Sequence, residues 1–349
     1  EMADAGHHIT GMSNRIVWGL PHVFALFLIL AAAGSLIVAS IATVWGRSIY
    51  KRLARLSCVL ALALLAGGLT VLGLDLGQPG ALVRSLSTLN FTSIFSLNLV
   101  VYTGFFLLAG AHLWMLMEYR MNRYARPIGV VAFLWQILLA TDVGSVFGVL
   151  VARQGYDSAI IAPLSVAMSL TIGTAVFILV LMAAMAWTGR PCGDAAIKRL
   201  GRLLGLFILA AFYLVAMQHI IGSYGQERQG FENFILRDGG VYTTLFWWGQ
   251  VFLGGLIPLA ILFLPSTAGQ RDKVAIAAAL ALVGGFAWLY VLIIGGQAYP
   301  LDLFPGMATS SGALDGQIAP YAPSWPEVFL GVGGVALAAL FVSVAVKVL

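Results

Sequence analysis

Charge is what this sequence has least of: Asp, Glu, Lys and Arg make up 9% of its residues, where a soluble globular chain carries roughly 25%. That deficit excludes a soluble protein. With 60% hydrophobic residues and a mean hydropathy of +0.96, the chain is built for a lipid bilayer. Cysteine is nearly absent too. The two present, Cys58 and Cys192, are too few to ligate an iron–sulfur cluster and match no metal spacing. Both fall on the predicted cytoplasmic side, so no disulfide is expected. No Gly-rich loop runs into Gly-Lys-Ser/Thr, which excludes a phosphate-binding loop, and the glycines are scattered through apolar stretches where they allow close helix packing. The net charge of +5 does not indicate nucleic acid either, because no Lys/Arg cluster interleaved with aromatics lies outside those stretches.

What the sequence does have is long apolar runs. A spanning helix needs ~20 such residues. The runs 17–44, 53–74, 93–117, 128–151, 160–187, 200–221, 245–264, 274–294 and 328–349 all qualify. They predict an all-α polytopic membrane protein with nine transmembrane helices, forming one integral membrane domain over 1–349. The loops alternate in charge. Arg47, Lys51, Arg52 and Arg55 follow the first helix, Arg120, Arg123 and Arg126 the third, Arg190, Lys198, Arg199 and Arg202 the fifth, and Arg271 and Lys273 the seventh. With Lys347 that face collects 14 of the 19 basic residues. The other face keeps Arg15, Arg84, Arg153, Arg228 and Arg237. The basic face is therefore expected to be cytoplasmic and residue 1 periplasmic or external, in a bacterial or archaeal cytoplasmic membrane. The long connections 75–92, 222–244 and 295–327 are then external caps; the last keeps Tyr299, Phe304, Tyr321 and Trp325, unlike a disordered linker. A first residue other than Met, a first helix too long for a cleavable signal, and a carboxyl end inside an apolar run suggest residues beyond both ends.

The polar groups held at membrane depth carry whatever chemistry exists. His22, Asp75, Arg153, Gln218 and His219 fall in one layer near the outer boundary. Asn98 and Tyr102 lie deeper, and Asp142 is placed near the middle of the fourth helix with Thr141 and Ser145 beside it. A carboxylate at mid-bilayer costs on the order of 3 kcal/mol. Asp142 is therefore either a protonated group bonded to a backbone carbonyl or a proton relay working with Ser145. His22 likewise has two readings, an interfacial residue bonded to a neighbouring helix or a group facing a ligand. His112, next to Trp114, is expected to be an interfacial anchor. The outer layer suits a quinone, whose two carbonyls each take a proton when two electrons arrive, because histidine titrates in the useful range. Matched depth also leaves His22 and His219 open as two axial ligands of a haem.

Several stretches resemble one family throughout the chain: GHHITGMSNRIVWGLPHVFALFLILAAAGSL, LDLGQPG, WMLMEYRMNRY, ENFILRDGGVYTTLFWWGQVFLGGLIPLA, IIGGQAYPLDLFPG and PSWPEVFLGVGGVAL. They are similar to the NrfD/PsrC polysulfide reductase membrane subunits, and within these to the DsrP branch of the DsrMKJOP sulfur-metabolism complexes. The resemblance implies paired helix bundles, with ten helices in the full protein. It implies a haem-free subunit, without an iron–sulfur cluster of its own, that exchanges electrons between menaquinone or ubiquinone and an external four-cluster ferredoxin-like subunit. Cytochrome c, cytochrome b and heterodisulfide-reductase-like subunits are implied as further partners. It also implies quinone contacts at His22 and Asp75, and more weakly at His219 and Arg153; Tyr102, just below the outer layer, is a further quinone-contact candidate from its depth, and no metal site is expected. The rival reading is an ion- or proton-coupled transporter using Asp142 as coupling site.

Overall fold

In the computed structural model residues 6–76, 90, 92–189, 193–300 and 317–348 are described. Arg84, Arg190, Cys192, Phe304, most of the connection 75–92 and residues 301–316 of the connection 295–327 lie outside them. Among the described residues nine helices are long and apolar enough to cross a membrane: α1 Leu20–Thr43, α2 Ala54–Asp75, α3 Ile94–Met117, α4 Ala125–Gly148, α5 Ile161–Thr188, α6 Asp194–Tyr224, α7 Val241–Phe263, α8 Arg271–Ala298 and α9 Trp325–Lys347. The protein is a multi-pass integral membrane protein. Hydropathy found every helix and missed only ends. The clearest miss is α6, which starts six residues ahead of its apolar run so that Lys198 and Arg199 are helical. Backbone amides at the membrane boundary still need partners, and continuing the helix supplies them.

The helices pack as two four-membered groups, α1–α4 and α5–α8, joined where α5 packs on α1 and α4 and α8 touches α1, with α9 lying on α1 and α2. The join is close. A Cβ on Gly34 would strike the Ser169 backbone, and one on Gly173 would strike the Gly34 backbone, so two small residues let the main chains of α1 and α5 touch. Ser169 Oγ adds a hydrogen bond to Leu30 O at 2.9 Å. Helix α1 is interrupted at Leu36. There Ser57 of α2 donates to Ser35 O at 2.7 Å and accepts from Ala39 N at 3.0 Å, a hydroxyl inserted into the helical ladder, which is one recognised cause of a kink.

The connection between α6 and α7 is itself helical in part, with a turn of α-helix at Gln229–Asn233 followed by a π-turn at Phe234–Asp238. A cavity of about 1220 Å³ opens at the end of the bundle where α1, α2, α3, α4, α5, α6 and α9 meet and the basic side chains gather. His22 and Asp75 lie at the opposite end. Cys58 is free and buried.

Candidate functional site

Pro21 sits in the first turn of α1, where a missing amide hydrogen costs nothing. His22 follows and projects toward the last residue of α2. Its Nδ1 lies 2.9 Å from Asp75 Oδ2, at the distance though without the alignment of a hydrogen bond. The imidazole is 23% exposed and the carboxylate 3%. With Nδ1 turned to the carboxylate, Nε2 is left on the far side of the ring.

Trp18 carries the site across to α3 and α4. Its ring centroid is 6.2 Å from that of His22, 6.4 Å from Phe95 and 5.6 Å, edge-on, from Phe147. Behind those two phenylalanines is a second polar pair. With the Asn98 amide turned to satisfy both its ends, its nitrogen donates to Asp142 Oδ1 at 2.9 Å and Oδ2 at 2.7 Å, and to Ile94 O at 3.0 Å. Tyr102, one turn further along the same buried face, is within electrostatic reach of Asp142. Ser145 Oγ donates instead to Thr141 O at 2.8 Å in its own helix. Asp142 is not at mid-helix: six residues separate it from the end of α4 at Gly148, a rise of about 9 Å. It therefore stands just beneath His22 and Asp75, nearer the boundary than its hydropathy context suggested.

Four side chains to which sequence reasoning gave no site role hold the Trp18 segment in place. Gln297 Oε1 accepts from Val17 N at 2.9 Å and Trp18 N at 3.0 Å, while its Nε2 donates to Trp18 O at 2.9 Å and Ile293 O at 2.8 Å. Ile293 lies in a π-turn, Val291–Gly295, and its carbonyl also accepts from Tyr156 at 2.7 Å. On the other side Leu20 N donates to Tyr321 Oη at 2.7 Å, and that hydroxyl donates to Glu327 at 3.1 Å. Glu327 is fully buried and also accepts from Ser324 N and Gly11 N. Burial raises the Tyr321 and Tyr156 phenols above their usual range, Arg153 pulling Tyr156 the other way, so both stay neutral hydroxyl donors. Gln297, Tyr321 and Glu327 stand in or beside motifs that carried the family resemblance, which was the signal available for them.

The other candidates are placed apart from His22. Arg153 donates to Gln297 O at 2.7 Å and Arg15 O at 2.9 Å; burial lowers its pKa, yet it clamps backbone from the loop after α4. His219 belongs to the second helix group. Its Nδ1 is 2.6 Å from Glu232 Oε2 and its ring packs edge-on against Phe246. Together with Gln218 and Gln250 it lines a cavity of about 20 Å³, room for one water. The layer read from the sequence is thus two His–carboxylate pairs, one in each group. His112 corrects the sequence reading outright: it is 0% exposed, and neither ring nitrogen has a partner among the described residues, while its neighbour Trp114 is the exposed one at 65%. Among the described residues no three His, Cys, Asp or Glu side chains gather to hold a metal.

Comparison with known proteins adds to this geometry. The profile of the family described as polysulphide reductase, NrfD, matches residues 8–300. The chain is 27% identical over 342 residues to an Hdr-like menaquinol oxidoreductase integral membrane subunit of Archaeoglobus fulgidus, covering 97% of this chain and 86% of that protein. It is 26% identical to a dimethyl sulfoxide reductase membrane subunit of Halobacterium salinarum, covering 97% and 84%. To a selenate reductase subunit of Mesobacillus selenatarsenatis it is 24% identical, covering 98% and 88%.

Proposed function

The chain belongs to the polysulphide reductase NrfD family, and from that premise we propose that it is the quinone-interacting membrane subunit of a multi-subunit respiratory oxidoreductase. It exchanges electrons between menaquinone or ubiquinone and an external four-cluster ferredoxin-like iron–sulfur subunit. The observation that carries this reading is the contact of His22 with Asp75 beside Trp18. An imidazole held by a carboxylate on one nitrogen presents the other to a quinone carbonyl, and Asp75 supports the positive charge that develops when the ring takes up a proton from quinol. Trp18, Phe95 and Phe147 supply an apolar aromatic wall for the quinone ring. Asn98 and Asp142 are the next polar groups inward and serve as the proton relay, Ser145 contributing only by orienting the turn behind them. His219 with Glu232 then belongs to the second helix group, and pairing it with His22 on a haem is not required.

The relatives' names support the assignment, since one is a menaquinol oxidoreductase subunit and two are subunits of reductases. Placement in sulfur metabolism, with cytochrome c, cytochrome b and heterodisulfide-reductase-like partners, is the finer part of the proposal. So is the orientation that puts the His22 end and the connections 75–92, 222–244 and 295–327 outside.

The test is electron transfer in the assembled complex. Removing a donor that acts on developing charge costs ~10²-fold or more in rate. His22→Ala is expected to slow quinol-linked reduction of the iron–sulfur centres by that factor, and Asp75→Asn by less, with subunit stoichiometry unchanged. An intact His22→Ala complex working at the normal rate would place the quinone elsewhere.

A further inference from the structure

The cavity of about 1220 Å³ at the basic end has two kinds of wall. Leu56, Leu181 and Met185, buried or half-buried, give it an apolar wall, and the exposed Lys51, Arg52, Arg55 and Arg126 give it a cationic one. No carboxylate lines it among the described residues. The two acids of this end with described contacts are engaged elsewhere, Asp194 with Arg271 and Glu118 with the Arg120 amide. Arg55 is already positioned, its Nε donating to Leu116 O at 3.2 Å across α2 and α3. Four cations gathered beside low-dielectric helix ends repel one another, and that repulsion is relieved by an anion.

We propose that this cavity binds an anionic phospholipid, its phosphate among Lys51, Arg52, Arg55 and Arg126 and an acyl chain against Leu56, Leu181 and Met185. The division of the walls argues for an amphiphile over a small anion. The depth argues for lipid over a protein partner, because the walls are helix ends at the level of the headgroups: Thr43 of α1, Leu116 of α3, Thr188 of α5 and Val346 of α9. Guanidinium forks bind phosphate in two-point fashion and never give up their protons. That also makes these residues unsuited to quinone chemistry, which needs a group that can release one.

The experiment uses the full chain in its complex, stripped of lipid in a nonionic detergent and titrated with mixed micelles. One arm contains phosphatidylglycerol, one phosphatidylcholine, and one detergent with inorganic phosphate alone; bound lipid is counted by native mass spectrometry. Saturable binding of phosphatidylglycerol is expected, with phosphatidylcholine and free phosphate at least tenfold weaker. Each cation near a bilayer surface is worth roughly fivefold in affinity, so the variant R52Q/R55Q/R126Q is expected to lose about a hundredfold. R120Q/R202Q/K273Q, three cations of the same face that do not line the cavity, is expected to lose less than threefold. Equal losses in the two variants would reduce the effect to general surface attraction and overturn the proposal. Equal binding of phosphatidylcholine, or of free phosphate, by the unaltered complex would overturn it without any variant. If R52Q/R55Q/R126Q fails to assemble, R52K/R55K/R126K keeps the charge but not the two-point forks and is expected to weaken phosphatidylglycerol binding at least threefold, while R120K/R202K leaves it unchanged; equal binding by the two variants would overturn the proposal.

Discussion

Buried carboxylates in this protein differ in what holds them, and the difference sets what each substitution does. Asp75 faces an imidazole, Glu327 is held by a tyrosine and two backbone amides, and Asp142 takes two hydrogen bonds from one amide. Asn98→Leu keeps the side chain's size and removes both bonds to Asp142. A buried polar group left without its donor costs about 1 to 3 kcal/mol, so the assembled Asn98→Leu complex is expected to unfold at a lower temperature in a thermal melt. An unchanged melting temperature would mean that Asp142 has another partner. Asp142, His22 and Asp75 were legible in the sequence because ionisable residues in apolar runs stand out. Gln297 and Tyr321 were not, since neutral polar residues at a helix end are common and only the fold shows that both reach back to Val17, Trp18 and Leu20. The burial of His112 was also hidden, because a histidine near a helix end next to a tryptophan reads as interfacial until its facing helices are known.

At the scale of elements, the sequence located the nine spanning helices of the described residues and missed how they meet. Apolar runs specify a helix but not the face it presents, and these helices are apolar all round, so no stripe marks a packing surface. The glycines mark it instead. Gly34 and Gly173 lie where α1 and α5 cross, and Gly254 and Gly284 where α7 and α8 cross, each with backbone of the facing helix in the space a Cβ would need. Gly110 on α3 has open space around it. Gly34→Val forces the backbones of α1 and α5 apart at the junction of the two helix groups, and overpacking of this kind costs about 1 to 3 kcal/mol or more. The expected outcome is a lower melting temperature together with reduced assembly. Gly110→Ala is expected to be neutral or mildly stabilising, as a helical Gly→Ala exchange in open space gains up to ~1 kcal/mol. Comparable melting curves for the two variants would show that the close crossing is not what joins the groups.

For the whole molecule the decisive asymmetry is charge, and it ties the proposed quinone site to one side of the membrane. The basic helix ends and the large cavity share one end; His22, Asp75, His219 and Glu232 share the other. Short loops rich in Lys and Arg stay on the cytoplasmic side, so the proposed orientation has both His–carboxylate pairs outside and the proposed iron–sulfur partner docking there, close enough to receive electrons from the quinone. The turn at Gln229–Asn233 is a good reporter because it lies between α6 and α7 on that end and is short enough to stay at the surface. Single cysteines placed between 225 and 230, in a chain whose Cys58 and Cys192 have been replaced, are expected to react with a membrane-impermeant maleimide added to intact cells. A cysteine replacing Arg52 is expected to react only after the cells are opened. Glu232 and Phe231 are avoided because both are buried. The reverse pattern would invert the protein, move the His22 site to the cytoplasmic face, and require both the docking partner and the direction of proton release to be assigned to the other side.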